Sequence, residues 1–501
     1  MDRVVNHQRA AVASGPRVAT DRRLLVLLAV AFLVRVVAIL AFPGIHHPDE
    51  NFQLFEQGHR LAFGYGVVPW EFRDGIRSPV LPYVLAAIFA VAEPLVGGPE
   101  GYLIVARLLL AISSLAAVAA VYRMALRIGL THALIAGIVA ATWFELVYFA
   151  IRPLTEAVAT TILLVALSLA SVSEHEMSRR RLVAIGFCIG LCLMLRIHLA
   201  PGLMVLAIWV GRHQLRGRWV PMMVGAIPPV LLFGAADWIV WGAPFHSYFE
   251  AVRVNLVEGK ASIIFGTDPF YWYFQPIFVH WAGALPIIVA LIVRRARASM
   301  LWVAVSLTII ASHMLIPHKE YRFVVPALAC LIVVAALGSA DIVDQLRRGL
   351  GERAIRTIAI IAVGLWIATS AALSFSVGYL DQWLRHRAAT EAFFGLAQEP
   401  QLCGLLFLSD GWSKSGGYAH LHRNVPLYAP YDHQQEAKDR TAAFNAIVLR
   451  QSNVWEFAPE FTLRRCIASY GEEDVCIMTR EGSCTLAPDL EINTMLRRLG
   501  K

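Results

Sequence analysis

Residues 24–42 read LLVLLAVAFLVRVVAILAF, an apolar stretch of 19 residues broken by one charge, Arg35. As a helix rising about 1.5 Å per residue, such a segment covers the hydrocarbon thickness of a bilayer. Eleven more apolar blocks follow, at roughly 80–96, 101–122, 130–150, 155–173, 182–197, 199–211, 219–241, 271–293, 298–316, 323–340 and 355–378. Lipid offers the backbone no hydrogen-bond partners, so these blocks are predicted to be helices. The composition agrees: of 501 residues 57% are apolar and 16% charged, and the mean hydropathy is +0.59. That is more apolar surface than soluble cores can hide, which excludes a string of soluble domains. The chain reads as an all-α polytopic membrane protein.

Orientation follows from the basic residues. Arg3, Arg9, Arg17, Arg22 and Arg23 precede the first block, and no small-residue cleavage signal follows it. Residues 1–23 are therefore predicted to be cytoplasmic and 24–42 to be an uncleaved span. The clusters Arg123/Arg127, Arg179/Arg180/Arg181, Arg212/Arg216/Arg218, Arg294/Arg295/Arg297 and Arg347/Arg348/Arg353 are all cytoplasmic only if block 80–96 does not cross. This block is short, follows Pro79, contains Pro82 and carries Pro94 near its end, as suits a membrane-face or re-entrant helix. The result is about 11 spans with an external tail; the alternative is 12 spans with a cytoplasmic one.

The formal charge of +8 splits unevenly, with −2 over residues 379–501 and +10 over the first 378. Basic connections set membrane orientation, so no nucleic-acid partner is implied. Cys403, Cys466, Cys476 and Cys484 lie in the tail, whereas Cys188, Cys192 and Cys330 lie in apolar blocks. Four tail cysteines fit an oxidising compartment and three connectivities; reduced cytosolic thiols are the alternative. The chain thus divides into a segment 1–23, a membrane unit 24–378 with an external loop 43–79, and a small extracytoplasmic domain 379–501 of α/β or mixed class.

Polar residues gather at the external ends of spans. The loop after the first span carries His46, His47, Pro48, Asp49, Glu50, Gln53, Glu56, His59, Trp70, Glu71 and Arg77. Adjacent acids beside lipid are costly unless they face a cleft or water. A carboxylate there can accept a proton from an attacking hydroxyl or hold a metal beside a phosphate. The plainer reading makes Asp49 a helix cap and Pro48 a turn residue. A second cluster, His318-Lys319-Glu320-Tyr321-Arg322, occupies a turn between two spans. Its cations suit a phosphate, or else snorkel to headgroups. Arg77, Arg152 and Arg196 add cations near the same face, with Glu156 at the spacing for a pair with Arg152. Asp237 is a lone acid inside an apolar block and points to an internal polar contact.

His46, His47, Asp49, Glu50 and His59 match no helix-borne His-x-x-x-His pattern, so no metal site is predicted. No Gly-x-x-x-x-Gly-Lys loop is present, which argues against an ATPase. A transporter or lipid flippase would show inverted repeats and paired broken helices; the sequence shows neither. A membrane scaffold with an external interaction domain is a further alternative.

The run His47-Pro48-Asp49-Glu50 with Gln53, Glu56, Trp70-Glu71 and Arg77-Ser78, together with His318 to Phe323 and Pro326, resembles the GPI and Alg-type mannosyltransferases. These are C-type glycosyltransferases of family 22. The resemblance covers about 24–378, and the tail looks like that of bacterial members. Two departures are Tyr321, where many relatives have a second Glu, and Pro69, where relatives often have Thr. The resemblance implies a GT-C fold and transfer of a hexose, mannose in this family, from a polyprenyl-phosphate donor to a glycan or glycolipid hydroxyl, with inversion. It implies Asp49 as base and Glu50 as supporting carboxylate. His47, Trp70, Glu71, Arg77, Arg152 and Arg196 would bind substrate, and His318, Lys319, Glu320 and Arg322 would form part of the donor-phosphate site. No cofactor is implied, since Lys, Arg and backbone groups can hold phosphate alone. The implied setting is a bacterial plasma membrane, with the site outside.

Overall fold

The computed structural model describes residues 21–500 except 348, 410 and 431–433. Most of the expected segment 1–23 thus lies outside the described residues. All twelve apolar blocks are helical. They are α1 (Arg22–Ala41), α2 (Val80–Val96), α3 (Gly98–Leu126), α4 (Leu130–Thr142) with α5 (Phe144–Ala150), α6 (Thr155–Ala170), α7 (Arg179–Leu195), α8 (Ala200–Gly211), α9 (Val220–Trp241), α10 (Phe274–Trp281) with α11 (Leu285–Arg295), α12 (Met300–Met314), α13 (Tyr321–Leu346) and α14 (Glu352–Ser374). Among the described residues six helices are long and apolar enough to cross a membrane, and α4 with α5 adds a broken span. Shorter apolar helices, including α6 and α12, pack among them.

Within the most apolar 18-residue stretch of α13, 89% of the residues are buried, so the helix stands at the centre of the bundle rather than presenting one apolar stripe. At one end Arg295 Nη1 lies 2.7 Å from Asp341 and His132 Nε2 2.9 Å from the same carboxylate. At the other end Arg322 meets the 43–79 loop. The charge inside α1 is fully used: Arg35 donates to Ser114 Oγ at 2.8 Å and to the Ala31 and Ala141 carbonyls at 2.9 Å. A buried cation is tolerated when its donors are partnered in this way.

Two blocks depart from the continuous spans expected. Block 130–150 breaks at Trp143, whose extended backbone (φ −60°, ψ 126°) bends the helix pair by 52°. Block 271–293 is interrupted at Ala282, where φ is +42°. Both ends of α2 lie toward the loop and tail. Leu81 lines the cavity that contains Asp49, and a side chain at Gly98 would lie 3.8 Å from Gln398 Nε2.

After α14 the chain forms α15 (Val377–Leu384) and α16 (Arg387–Ala397), then a small α/β domain. Its strands are β1 (Leu405–Leu408), β2 (Leu427–Tyr428), β3 (Ala446–Arg450), β4 (Thr462–Ile467) and β5 (Val475–Thr479), in the order β2-β1-β3-β5-β4. β1 pairs parallel with β2 and β3, while β5 runs antiparallel between β3 and β4. Strands buried on both faces read as continuous apolar runs, as LLFL in β1 does. Of the three possible connectivities the structure has Cys403–Cys484 and Cys466–Cys476. The second bridges β4 and β5 at directly paired positions.

Candidate active site

The loop that follows α1 is fixed from behind by buried arginines. The Gly44 carbonyl accepts from Arg152 Nη1, and from Arg107 Nη2 at 3.3 Å. A Cβ at Gly44 would lie 2.3 Å from the Arg385 carbonyl oxygen, so only glycine fits there. Glu50 Oε1 sits 3.3 Å from Arg107 and 3.2 Å from Arg152, and its Oε2 accepts the His46 N–H at 2.9 Å. Glu50 and Arg152 therefore meet in a closed, buried contact outside the two cavities described below. Glu156 does not pair with Arg152 as its spacing suggested. α6 starts only at Thr155, so Arg152 lies before the helix and the i, i+4 relation does not operate. Glu156 Oε1 is instead 2.9 Å from Arg196 and 3.6 Å from Arg322.

Asp49 makes no capping bond. Its Oδ2 lies 2.6 Å from Arg322 Nη2. The Asp49 N–H lies 3.2 Å from His47 Nδ1, and His47 Nε2 lies 3.3 Å from Glu320 Oε2. Glu320 closes the ring, with Oε2 2.5 Å from Arg322 Nε and Oε1 3.0 Å from His318 Nε2. Burial works to raise the Asp49 carboxyl, but Arg322, His47 and Arg77 outweigh it and hold the group well below the usual carboxylate range. Glu320 is likewise held low against burial, chiefly by Arg322 and then His47. Both acids are thus ionised at neutral pH.

Arg322 stands in the wall between two cavities. The first, an open space of about 800 Å³, is lined by Asp49, Gln53, Arg77, Glu156, Arg196 and His198 and by apolar side chains that include Leu81, Leu154, Leu195 and Phe233. Arg77 Nε is buried there with no hydrogen-bond partner among the described residues. The second, about 640 Å³, is lined by His46, His47, Trp272, Lys319, Glu320, Gln382 and Arg385. The Lys319 ammonium donates to the carbonyls of Ile316 at 2.6 Å and Asp268 at 3.0 Å. Trp70 is packed with Ile76 and Val254 under the Lys260 ammonium, 4.5 Å from its ring, and so ties two loops together. Glu71 accepts from Gln53 Nε2 at 3.0 Å, and burial together with the Asp49 charge pushes it up to about 7.

Sequence reasoning missed several residues here. Arg107 holds Glu50, and Tyr321 donates its hydroxyl to Glu145, which also accepts the Trp143 and Trp281 indole N–H groups at 3.0 Å each. Both Arg107 and Glu145 lie inside apolar blocks, where a charge is itself the signal of an internal partner. Glu56 accepts the N–H groups of Val67, Tyr418 and Ala419 at 2.7, 3.1 and 2.8 Å, and so fastens the tail to the loop. Asp237 has the internal contact expected of it: the Ser247 backbone and hydroxyl donate at 2.8 and 2.6 Å.

The model of the Alg9-like mannosyltransferase family matches residues 27–403. The chain is 26% identical over 416 residues to GPI mannosyltransferase 3 of Yarrowia lipolytica, covering 80% of this chain and 76% of that protein. It is 25% identical to GPI alpha-1,2-mannosyltransferase 3 of Xenopus laevis, over 68% of this chain and 64% of the frog protein. Among solved structures, ArnT from Cupriavidus metallidurans superposes with a TM-score of 0.57 at 14% identity, over 92% of this chain and 98% of ArnT. The fold is therefore GT-C. The chain belongs to the Alg9-like mannosyltransferase family and is a membrane glycosyltransferase.

Proposed function

We propose that this glycosyltransferase moves a mannosyl group from a polyprenyl phosphate to a hydroxyl of a glycan or glycolipid acceptor, with inversion at the anomeric carbon. The observation that carries the reading is the first cavity: an ionised Asp49 faces the same space as Arg77, Arg196 and Arg322, and the remaining walls are largely apolar. A lipid-linked sugar phosphate needs this combination of an apolar surface for the isoprenoid, cations for the phosphate and one base for the acceptor.

In the reaction the acceptor oxygen bonds to the anomeric carbon as the bond from that carbon to the phosphate oxygen breaks. The electron pair stays on the phosphate, and the acceptor proton passes to Asp49. A single displacement inverts the centre. Arg322 orients Asp49, while Arg77 and Arg196 balance charge gathering on the leaving phosphate. His47, Lys319 and Glu320 line the neighbouring cavity and His318 holds Glu320, so this turn extends the donor-phosphate site beside Arg322. Glu50 supports Asp49 by anchoring the turn before it, and Arg152 anchors Glu50. Trp70 and Glu71 act on substrate through the loop they brace.

The ArnT crystal was bound to undecaprenyl phosphate, a ligand of the class proposed for this donor. Residues 24–378 would form the catalytic unit and 379–501 an extracytoplasmic domain, in a bacterial plasma membrane; the two tail disulfides support that side. No metal takes part in the proposed step. Purified protein supplied with radiolabelled polyprenyl-phosphate mannose and mannoside acceptors tests the reading. Transfer of label with release of polyprenyl phosphate is expected. Label moving only from a nucleotide sugar would overturn it.

A further inference from the structure

The end of the bundle opposite Asp49 carries a groove that the transfer reaction does not use. It is about 1700 Å³, open to the surface, and formed by α4 and α14 with the start of α1 and the end of α13. Along its length the lining is apolar: Leu134 and Ile138 on α4, Ile360 and Val363 on α14. Three arginines gather at one end, Arg23, Arg347 and Arg356.

The groove has a direction. α4 and α14 both begin at the arginine end, so Ile138 and Val363 lie two helical turns, about 10 Å, deeper than Thr131 and Arg356. Charge therefore sits at the depth of headgroups and apolar surface at the depth of acyl chains. Of the acids nearby, one shares the lining with the three arginines and two stand outside it. Glu352 lines the groove, Asp21 lies near Arg23, and Asp344 is 3.5 Å from Arg347. Arg347 also donates to Thr131 Oγ1 at 3.0 Å, which aims its guanidinium across the groove. Arg356 has no ion-pair partner among the described residues.

We infer that this groove binds one glycerophospholipid with an anionic headgroup, its phosphate held by Arg23, Arg347 and Arg356 and an acyl chain lying along Ile138 and Val363. Arginine suits the role because its fork meets phosphate with two donors at once. A soluble phosphate would leave the apolar length of the groove unused, and a zwitterionic lipid would set its own cation beside the guanidinium groups.

The test uses the full chain in nonionic detergent, titrated with phosphatidylglycerol or phosphatidylcholine and read by native mass spectrometry. Wild type is expected to retain one phosphatidylglycerol with a preference on the order of tenfold over phosphatidylcholine, given the attraction of basic residues for anionic lipid. The Arg23→Gln/Arg356→Gln protein is expected to lose that preference. Arg216→Gln/Arg297→Gln, which removes equal charge elsewhere, should keep it. Ile138→Trp should reduce retention of both lipids by filling the groove. Equal retention of the two lipids by wild type would overturn the inference, as would wild-type preference in the groove variant or loss in the control. Competition by glycerol phosphate would also overturn it.

Discussion

Arg322 Nη2 lies 2.6 Å from Asp49 Oδ2, joining the first turn of the central helix to the loop that leaves the first one, 273 residues earlier. The same guanidinium reaches Glu320 and Glu156. One buried cation thus serves three carboxylates. Arg322→Ala would leave Asp49 without its arginine and strip one partner from Glu320 and Glu156, and breaking a buried pair typically costs about 3–5 kcal/mol. The expected result is a lower melting temperature and loss of transfer. Arg322→Lys should recover part of the stability but little activity, because an ammonium cannot reproduce the planar fork. Thermal unfolding and initial rates of the two variants check this.

Glu71 offers a test through pH. Its carboxyl is pushed up to about 7 by burial and by Asp49, whereas in the unfolded chain it titrates near 4.3. The folded state binds the proton more tightly, so stability falls as pH rises from about 4 to 7 and then levels off. The full span is about 4 kcal/mol. Glu71→Gln should remove this slope, so its stability relative to wild type should increase between pH 5 and 8. Melting curves across that range measure it; a constant difference would contradict the assignment.

Gly44 supports two arginine contacts with its carbonyl and allows no Cβ. Gly44→Ala should shift the turn before His46, at a cost of about 1–3 kcal/mol. Transfer should fall more than stability does, since the turn sets where Asp49 points. Comparing kcat with the melting temperature separates the two effects.

The tail disulfides close loops of different length, with sequence separations of 81 and 10. On the chain-entropy estimate the longer contributes about 4.5 kcal/mol and the shorter about 3. Replacing Cys403 and Cys484 by serine should therefore destabilise the tail more than replacing Cys466 and Cys476. Differential alkylation of protein taken directly from cells should find the four tail cysteines oxidised and Cys188, Cys192 and Cys330 as thiols. Free tail thiols would contradict an extracytoplasmic tail.

The legible part of the site was the part that breaks the apolar pattern at span ends. His47, Asp49 and the run from His318 to Arg322 stand out because charge beside lipid needs a reason. Their direct contacts, Asp49 with Arg322 and His47 with Glu320, join segments far apart in the chain and depend on packing. The break at Trp143 was not legible, because Thr142-Trp143-Phe144 contains neither glycine nor proline. Glu145 draws two indoles and the Tyr321 hydroxyl to that break, and only the fold brings those donors together. Arg152 misled for a local reason: it lies three residues before a helix, where helical spacing has no force.

The central claim is that Asp49 takes the acceptor proton. Single-turnover transfer of mannose from labelled polyprenyl-phosphate mannose, measured for wild type, Asp49→Asn and Asp49→Glu, addresses it directly. The asparagine protein should melt within a few degrees of wild type and transfer label about 10²–10⁴-fold more slowly, the usual contribution of a general base. The glutamate protein should recover part of the rate. Wild-type transfer by folded Asp49→Asn would contradict the account.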